Sequence, residues 1–148
     1  VGRIDALHKS SSYHNADLAI CTIEDETGIS EPASLPLIGR STKTNLENTH
    51  TDSGIAIGFS ANAEDVAKLR AVGLKFICCN SPADDYSQVA EWLTEMQSSL
   101  GNILQRLGLE SIDSLSRQNL RALDYETAAV SGLRLSGYER PLPHWFAR

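Results

Sequence analysis

Apolar residues recur along this chain at two periods, and the switch between them outlines its elements. Within 54–83, Ile55, Ile57 and Phe59 alternate with smaller residues after a Gly-containing turn, which predicts a buried strand. Asn62 then stands where a helix N-cap belongs, with Glu64 and Asp65 in the first turn to meet free N–H groups and the positive end of the helix dipole. Val66, Ala67, Leu69 and Ala71 give that helix an apolar face, and Gly73 supplies the left-handed stop. The apolar run 74–79, broken only by Lys75, predicts a second strand. Strand, short helix, strand is a βαβ unit, whose crossover makes the two strands parallel.

Upstream, 16–23 (ADLAICTI) predicts a further short strand, apolar on both faces as a sheet covered on both sides demands. The segments 8–15 and 24–32 are polar loops, and 33–53 is mixed, interrupted by Pro36 and Gly39. Downstream, Asn80-Ser81-Pro82 predicts a helix start, with Pro at the first helical position and Asp84 and Asp85 in the first turn. Val89, Trp92, Leu93, Met96, Leu100, Ile103, Leu104 and Leu107 follow at three- and four-residue steps up to Gly108. This is the strongest periodic signal in the chain. One helical turn is expected over 111–115, and a last helix from Ser116 to Gly132. The tail 133–148 is expected to be an extended arm that docks Trp145 and Phe146. Two regions result: 1–83, a partial βα unit array, and 84–148, a long helix with a helical tail and arm.

Composition narrows the classes. A 41% hydrophobic content is enough for a core, and a net charge of −6 with no basic cluster argues against a nucleic-acid partner. No apolar run reaches membrane length, and Val1 is not followed by a charged-then-apolar leader. Three cysteines, two of them adjacent, make no disulfide framework, so a reducing, cytoplasmic setting is expected.

Loops at the C-terminal ends of parallel strands are where α/β proteins place their sites. Here they are 24–32, 59–62 and 79–83, and two of them lead into helices whose free N–H groups suit a phosphate. Gly58 is the single glycine where a tight phosphate cradle uses two or three, so an ordinary capped βα turn accounts for the same residues. Glu24, Asp25, Glu26 and Glu31 are candidates for a metal or an acid–base pair, or form a solvated rim. His8, His14, His50 and His144 lack paired ligand spacing, which argues against zinc. Cys78 and Cys79 point to opposite faces of their strand, so one is expected in the core.

These residues resemble the FMN-binding domain of glutamate synthases, a (β/α)₈ barrel. That family has an apolar strand ending in a loop of the type DGGTGASP, matched by NADLAICTI-EDETGISEP with Thr27, Gly28, Ser30 and Pro32 in place. IAIGFSANAEDVAKLRAVGLKFICC is similar to its next βαβ unit. LGLESIDSLSRQNLRALDYETAAVSGL resembles its helical tail, the most specific portion. The resemblance, over roughly 15–133, implies an α/β fold that is the C-terminal part of a (β/α)₈ barrel with an added helical tail. It implies an FMN-linked oxidoreductase, with Thr27, Gly28, Gly58, Ser60, Ala61 and Asn62 as the cofactor-binding positions.

Departures from the pattern set the expected role. Asp25-Glu26 and Phe59-Ser60 replace the family's double glycines, and Glu26 brings negative charge towards an anionic cofactor. The run of three spaced cysteines that holds the family's iron–sulfur cluster is absent, and adjacent cysteines do not replace it. A whole barrel needs ~250 residues. The chain is therefore expected to be a fragment or a subunit with a supporting role, weak or absent in FMN binding. Its partner is expected to be a polypeptide that completes the barrel, or a second copy. The alternative is a non-catalytic binding or assembly module on a degenerate flavin barrel.

Overall fold

The computed structural model of the chain describes residues 16–22 and 52–140. Three strands, β1 (Leu18–Thr22), β2 (Asp52–Ala56) and β3 (Phe76–Cys78), form a sheet in the order β1-β2-β3, parallel throughout. Helix α1 (Ala63–Ala71) connects β2 to β3, so the expected βαβ unit is present. The loop positions Thr27 and Gly28, the acidic residues of 24–32, all four histidines and the arm residues Trp145 and Phe146 lie outside the described residues.

β2 begins earlier and stops earlier than the apolar alternation predicts. Backbone pairing brings Asp52 and Ser53 into the ladder: the Asp52 N–H donates to the Asp17 carbonyl at 2.8 Å, and the Lys75 N–H to the Ser53 carbonyl at 2.8 Å. Lys75 Nζ also meets Asp52 Oδ1 at 2.5 Å. Past Ala56 the Ile57 N–H donates to the Cys78 carbonyl at 2.9 Å, and the Asn80 N–H to the Phe59 carbonyl at 3.2 Å. Gly54 is needed where it sits, because a Cβ there would lie 3.1 Å from both Cβ and the carbonyl oxygen of Phe76.

The two faces of the sheet differ. Cys21, Ile55 and Ile77, aligned across the three strands, pack against Leu69 of α1, its C-cap Val72 and Leu74. Ile55 and Leu74 are fully buried. Leu74 is reached through a tight stop after α1, in which Gly73 takes φ 105° and the Leu74 N–H donates back to the Leu69 carbonyl at 3.2 Å. On the other face Leu18, Ile20 and Phe76 stay exposed, at 36%, 43% and 47%. The apolar character of both faces of β1 is present as expected, but only the α1 side is covered among the described residues. The cysteine expectation is corrected too. Cys78 is exposed, Cys79 is half-buried, and the core thiol is Cys21, whose pKa burial pushes up.

Helix α2 (Tyr86–Leu107) starts later than the Pro82 signal predicts. Asp85 is the N-cap, its carboxylate accepting the Gln88 N–H at 3.3 Å, while Ser81 and Ala83 close a local turn that competes with helix. Gly108 ends it as expected, at φ 68°. Leu100, Ile103 and Leu104 lie against Ala67 and Ala71 of α1 and against Leu115. The small alanines let the helices approach closely. No residue of α2 is fully buried, and Leu93 is 54% exposed.

The single helix expected between Ser116 and Gly132 is broken into pieces. The single turn expected over 111–115 is present as a 3₁₀ turn, Ile112–Ser114, whereas 116–132 holds a 3₁₀ turn over Arg117–Asn119 and the last helix, α3, over Tyr125–Ser131. Two local caps divide it, since Ser116 pairs with Asn119 and Asp124 with Thr127. Between them Ala122 bridges to Leu135, with its N–H on the Arg134 carbonyl at 2.9 Å. Gly132 ends α3 at φ 69°, as predicted. Leu120 packs against all three apolar clusters, joining sheet, helices and tail.

Leu74→Ala is expected to cost ~2–5 kcal/mol in a denaturant melt, because a fully buried leucine leaves a cavity. Leu93→Ala, at an exposed position of α2, should change stability by less than about 0.5 kcal/mol.

Candidate functional site

The loop after β2 carries four of the positions that the resemblance names. Gly58, Ser60 and Asn62 are exposed, whereas Ala61 is buried at 3%. A Cβ on Gly58 would meet nothing within 4 Å, so the open surface there comes from the loop path and not from the missing side chain. Phe59, within the same loop, is 47% exposed.

Asn80 ties this loop to the end of β3. Its Nδ2 donates to the Gly58 carbonyl at 2.6 Å, and its backbone N–H to the Phe59 carbonyl at 3.2 Å. Two of the three C-terminal strand-end loops are thereby joined. The sequence holds no local signal for it, because the partners are 22 residues apart.

Asn62 is committed to helix capping. Its Oδ1 accepts the Asp65 N–H at 3.0 Å, and Asp65 Oδ2 accepts the Asn62 N–H at 3.1 Å. This reciprocal pair satisfies two donors at the helix end that a phosphate would otherwise use. Asp65 and Glu64 also place negative charge against the positive end of the dipole. An incoming phosphate therefore competes with a carboxylate of the chain itself.

Behind the loop opens a cavity of about 480 Å³. Ile57 and Phe59 form one wall, Leu69 of α1 and its C-cap Val72 a second, and Leu120, Ala122 and Leu133 of the tail a third. Lys68, Asp65, Arg121, Asp124 and Thr127 supply its polar positions. Asp124 caps α3: its Oδ1 accepts the Thr127 N–H at 2.7 Å and its Oδ2 the Thr127 hydroxyl at 2.8 Å. Those bonds, the backbone one first, hold its carboxyl below the ordinary value. The sequence pattern gives no sign of this cavity. Its walls come from segments about fifty positions apart that share no periodic or motif signal.

Among the described residues no group of three or more His, Cys, Asp or Glu is arranged to hold a metal ion, and no buried side-chain polar atom lacks a partner. Comparison of the chain with protein-family models, with curated proteins and with solved structures returned no match.

Asn62→Ala is expected to cost about 0.5–2 kcal/mol by unfolding the first turn of α1 more readily. Asp124 gives a pH signature. Its pKa is lower folded than unfolded, so its contribution is full above the unfolded carboxylate pKa and is lost as pH falls through the folded one. Denaturant melts from about pH 7 to about pH 3 should show a shallower acid loss for Asp124→Asn than for the parent.

Proposed function

We propose that this chain is the C-terminal portion or a subunit of a glutamate-synthase-like, FMN-dependent oxidoreductase, with a structural or supporting role. The observation that supports this best is the uneven sheet. Three parallel strands in sequential order carry a helix on one face and exposed apolar side chains on the other. Parallel sheets occur almost only with both faces covered. In a closed barrel the face opposite the helices is the packed interior, filled by side chains of all eight strands. Leu18, Ile20 and Phe76 suit that interior, and the outer edges of β1 and β3, which pair with no strand among the described residues, suit further strands. A partner polypeptide that completes the barrel, or a second copy, is part of this reading. So is a cytoplasmic setting, in keeping with the free thiols of Cys21, Cys78 and Cys79.

Catalysis by this chain alone is not part of the proposal. In the loop assigned to the cofactor, the Asn62–Asp65 capping pair already holds two of the donors a phosphate needs, one on the Asp65 carboxylate and one on the Asn62 amide oxygen, and Phe59 stands where the family has glycine. Among the described residues no helix is long and apolar enough to cross a membrane.

Two measurements test this. Titrating FMN with the purified chain should leave flavin fluorescence unchanged, and quenching at micromolar concentrations would give the chain a cofactor role of its own. Sedimentation should show association, with a partner or a second copy, that Trp92→Asp weakens together with the cooperativity of melting. A compact monomer that melts cooperatively at micromolar concentration would overturn the partial-barrel reading.

A further inference from the structure

The cavity behind the β2 loop has a charge balance that its residue types alone do not reveal. Two acids and two bases line it, Asp65 and Asp124 against Lys68 and Arg121. The acids are spent. Each caps a helix, accepting backbone N–H bonds at the positive end of a helix dipole. The bases are not. One nitrogen of the Arg121 guanidinium donates to the carbonyls of Gln118 and Leu120, at 2.6 and 2.7 Å, both neutral acceptors. Among the described residues no carboxylate forms an ion pair with Arg121. Lys68 meets only Glu64, at 3.3 Å, with side chains 58% and 74% exposed. An exposed pair of that kind contributes little and exchanges readily.

Below these cations the walls are apolar, formed by Ile57, Leu69, Val72, Leu120 and Leu133. Leu123, 86% exposed, and Phe59, 47% exposed, add apolar surface at the lining. A volume of about 480 Å³ lies in the range of small-molecule pockets, ~300–1,000 Å³. It also adjoins the C-terminal end of a parallel strand, the usual place for a ligand in α/β proteins.

We propose that this cavity binds a small amphipathic anion, an apolar ring system carrying one carboxylate or sulfonate. The ring system lies on the Leu69–Val72 and Leu120–Leu133 walls, and the anionic group is held by Arg121 and Lys68. The proposal does not rest on the barrel reading, because its charged contacts, Arg121 and Lys68, are not among the positions that reading assigns to the cofactor.

The test uses the whole chain and two fluorescent probes. One is 8-anilinonaphthalene-1-sulfonate, an apolar anion, and the other is N-phenyl-1-naphthylamine, its uncharged counterpart. The sulfonate probe is expected to bind saturably at one site. Arg121→Gln should weaken it about tenfold, and Lys68→Gln several-fold, the loss expected when a charge-assisted contact is removed. Neither substitution should alter binding of the uncharged probe. Circular dichroism melts establish that each variant is folded. Lys68→Gln keeps the test decisive if Arg121→Gln is not, since Lys68 makes one exposed contact only. Unchanged sulfonate binding in the folded variants would overturn the proposal. So would no binding, or the non-saturating, many-site binding typical of loosely packed states.

Discussion

One packing contact, the laying of α1 across the central strand, holds the sheet, the long helix and the tail together. Ile55, in β2, is enclosed by its register neighbours Cys21 and Ile77 and closed from above by Leu69, Val72 and Leu74. Fully burying a side chain such as Ile55 or Leu74 stabilises by ~1.5–3 kcal/mol. Against a net domain stability of ~5–15 kcal/mol, two such residues carry a large share. The contact also orients the long helix α2. Because α1 is seated by its Leu69 side, its Ala67 and Ala71 side is left to receive Leu100, Ile103 and Leu104 of α2.

Leu120 extends the same contact into the tail. It is an isolated leucine between two 3₁₀-type turns and a short bridge, yet it touches the sheet cluster, the α1–α2 cluster and the Ala122–Ala128–Leu133 cluster. The tail is thereby held against the edge of α1, and the cavity is the space left between them. Arginines finish the junction. Arg70 reaches the Leu74 carbonyl at 3.1 Å and pairs with Asp113, Arg117 reaches the Ser131 carbonyl at 2.8 Å, and Arg134 reaches the Gln118 carbonyl at 2.8 Å. Long side chains that bond distant carbonyls anchor irregular segments that have no ladder of their own.

Two kinds of anion chemistry are thus separated within a short distance. At the α1 terminus the chain has its own carboxylate in the place where a phosphate would lie, which stabilises the helix and weakens a cofactor cradle. On the tail side of the same loop, Arg121, which pairs with no carboxylate among the described residues, and Lys68, which meets the exposed Glu64, line a largely apolar cavity. The resemblance to flavin barrels points to the first position, whereas the geometry favours anion binding at the second. The exposed face of the sheet is a third feature, on which apolar Leu18, Ile20 and Phe76 share the register with Thr22 and Asp52.

Much of the secondary structure was legible in the residues, and the reasons are local. Asn62 with Asp65, Gly73, Gly108 and Gly132 act through bonds and backbone angles within one helical turn, so their positions follow from sequence spacing. The α2 stripe and the parallel strands flanking α1 were readable for the same reason, since period and crossover length are properties of short segments. The misreadings share one cause. Pro82 signals a helix start, but Asp85 outcompetes it; the 116–132 pattern looks helical, but Ser116 and Asp124 cap separate turns and Ala122 finds Leu135. Strand alternation puts Cys78 or Cys79 in the core, but register with Ile55 buries Cys21 instead. The sequence by itself therefore determined the βαβ unit with its Asn62 cap, the glycine stops of the helices and the parallel pairing of β2 with β3. Only tertiary structure decided which sheet face is covered, how Asn80 joins two loops, and that Lys68 and Arg121 share a cavity. Those outcomes depend on contacts between distant residues, which no local pattern encodes.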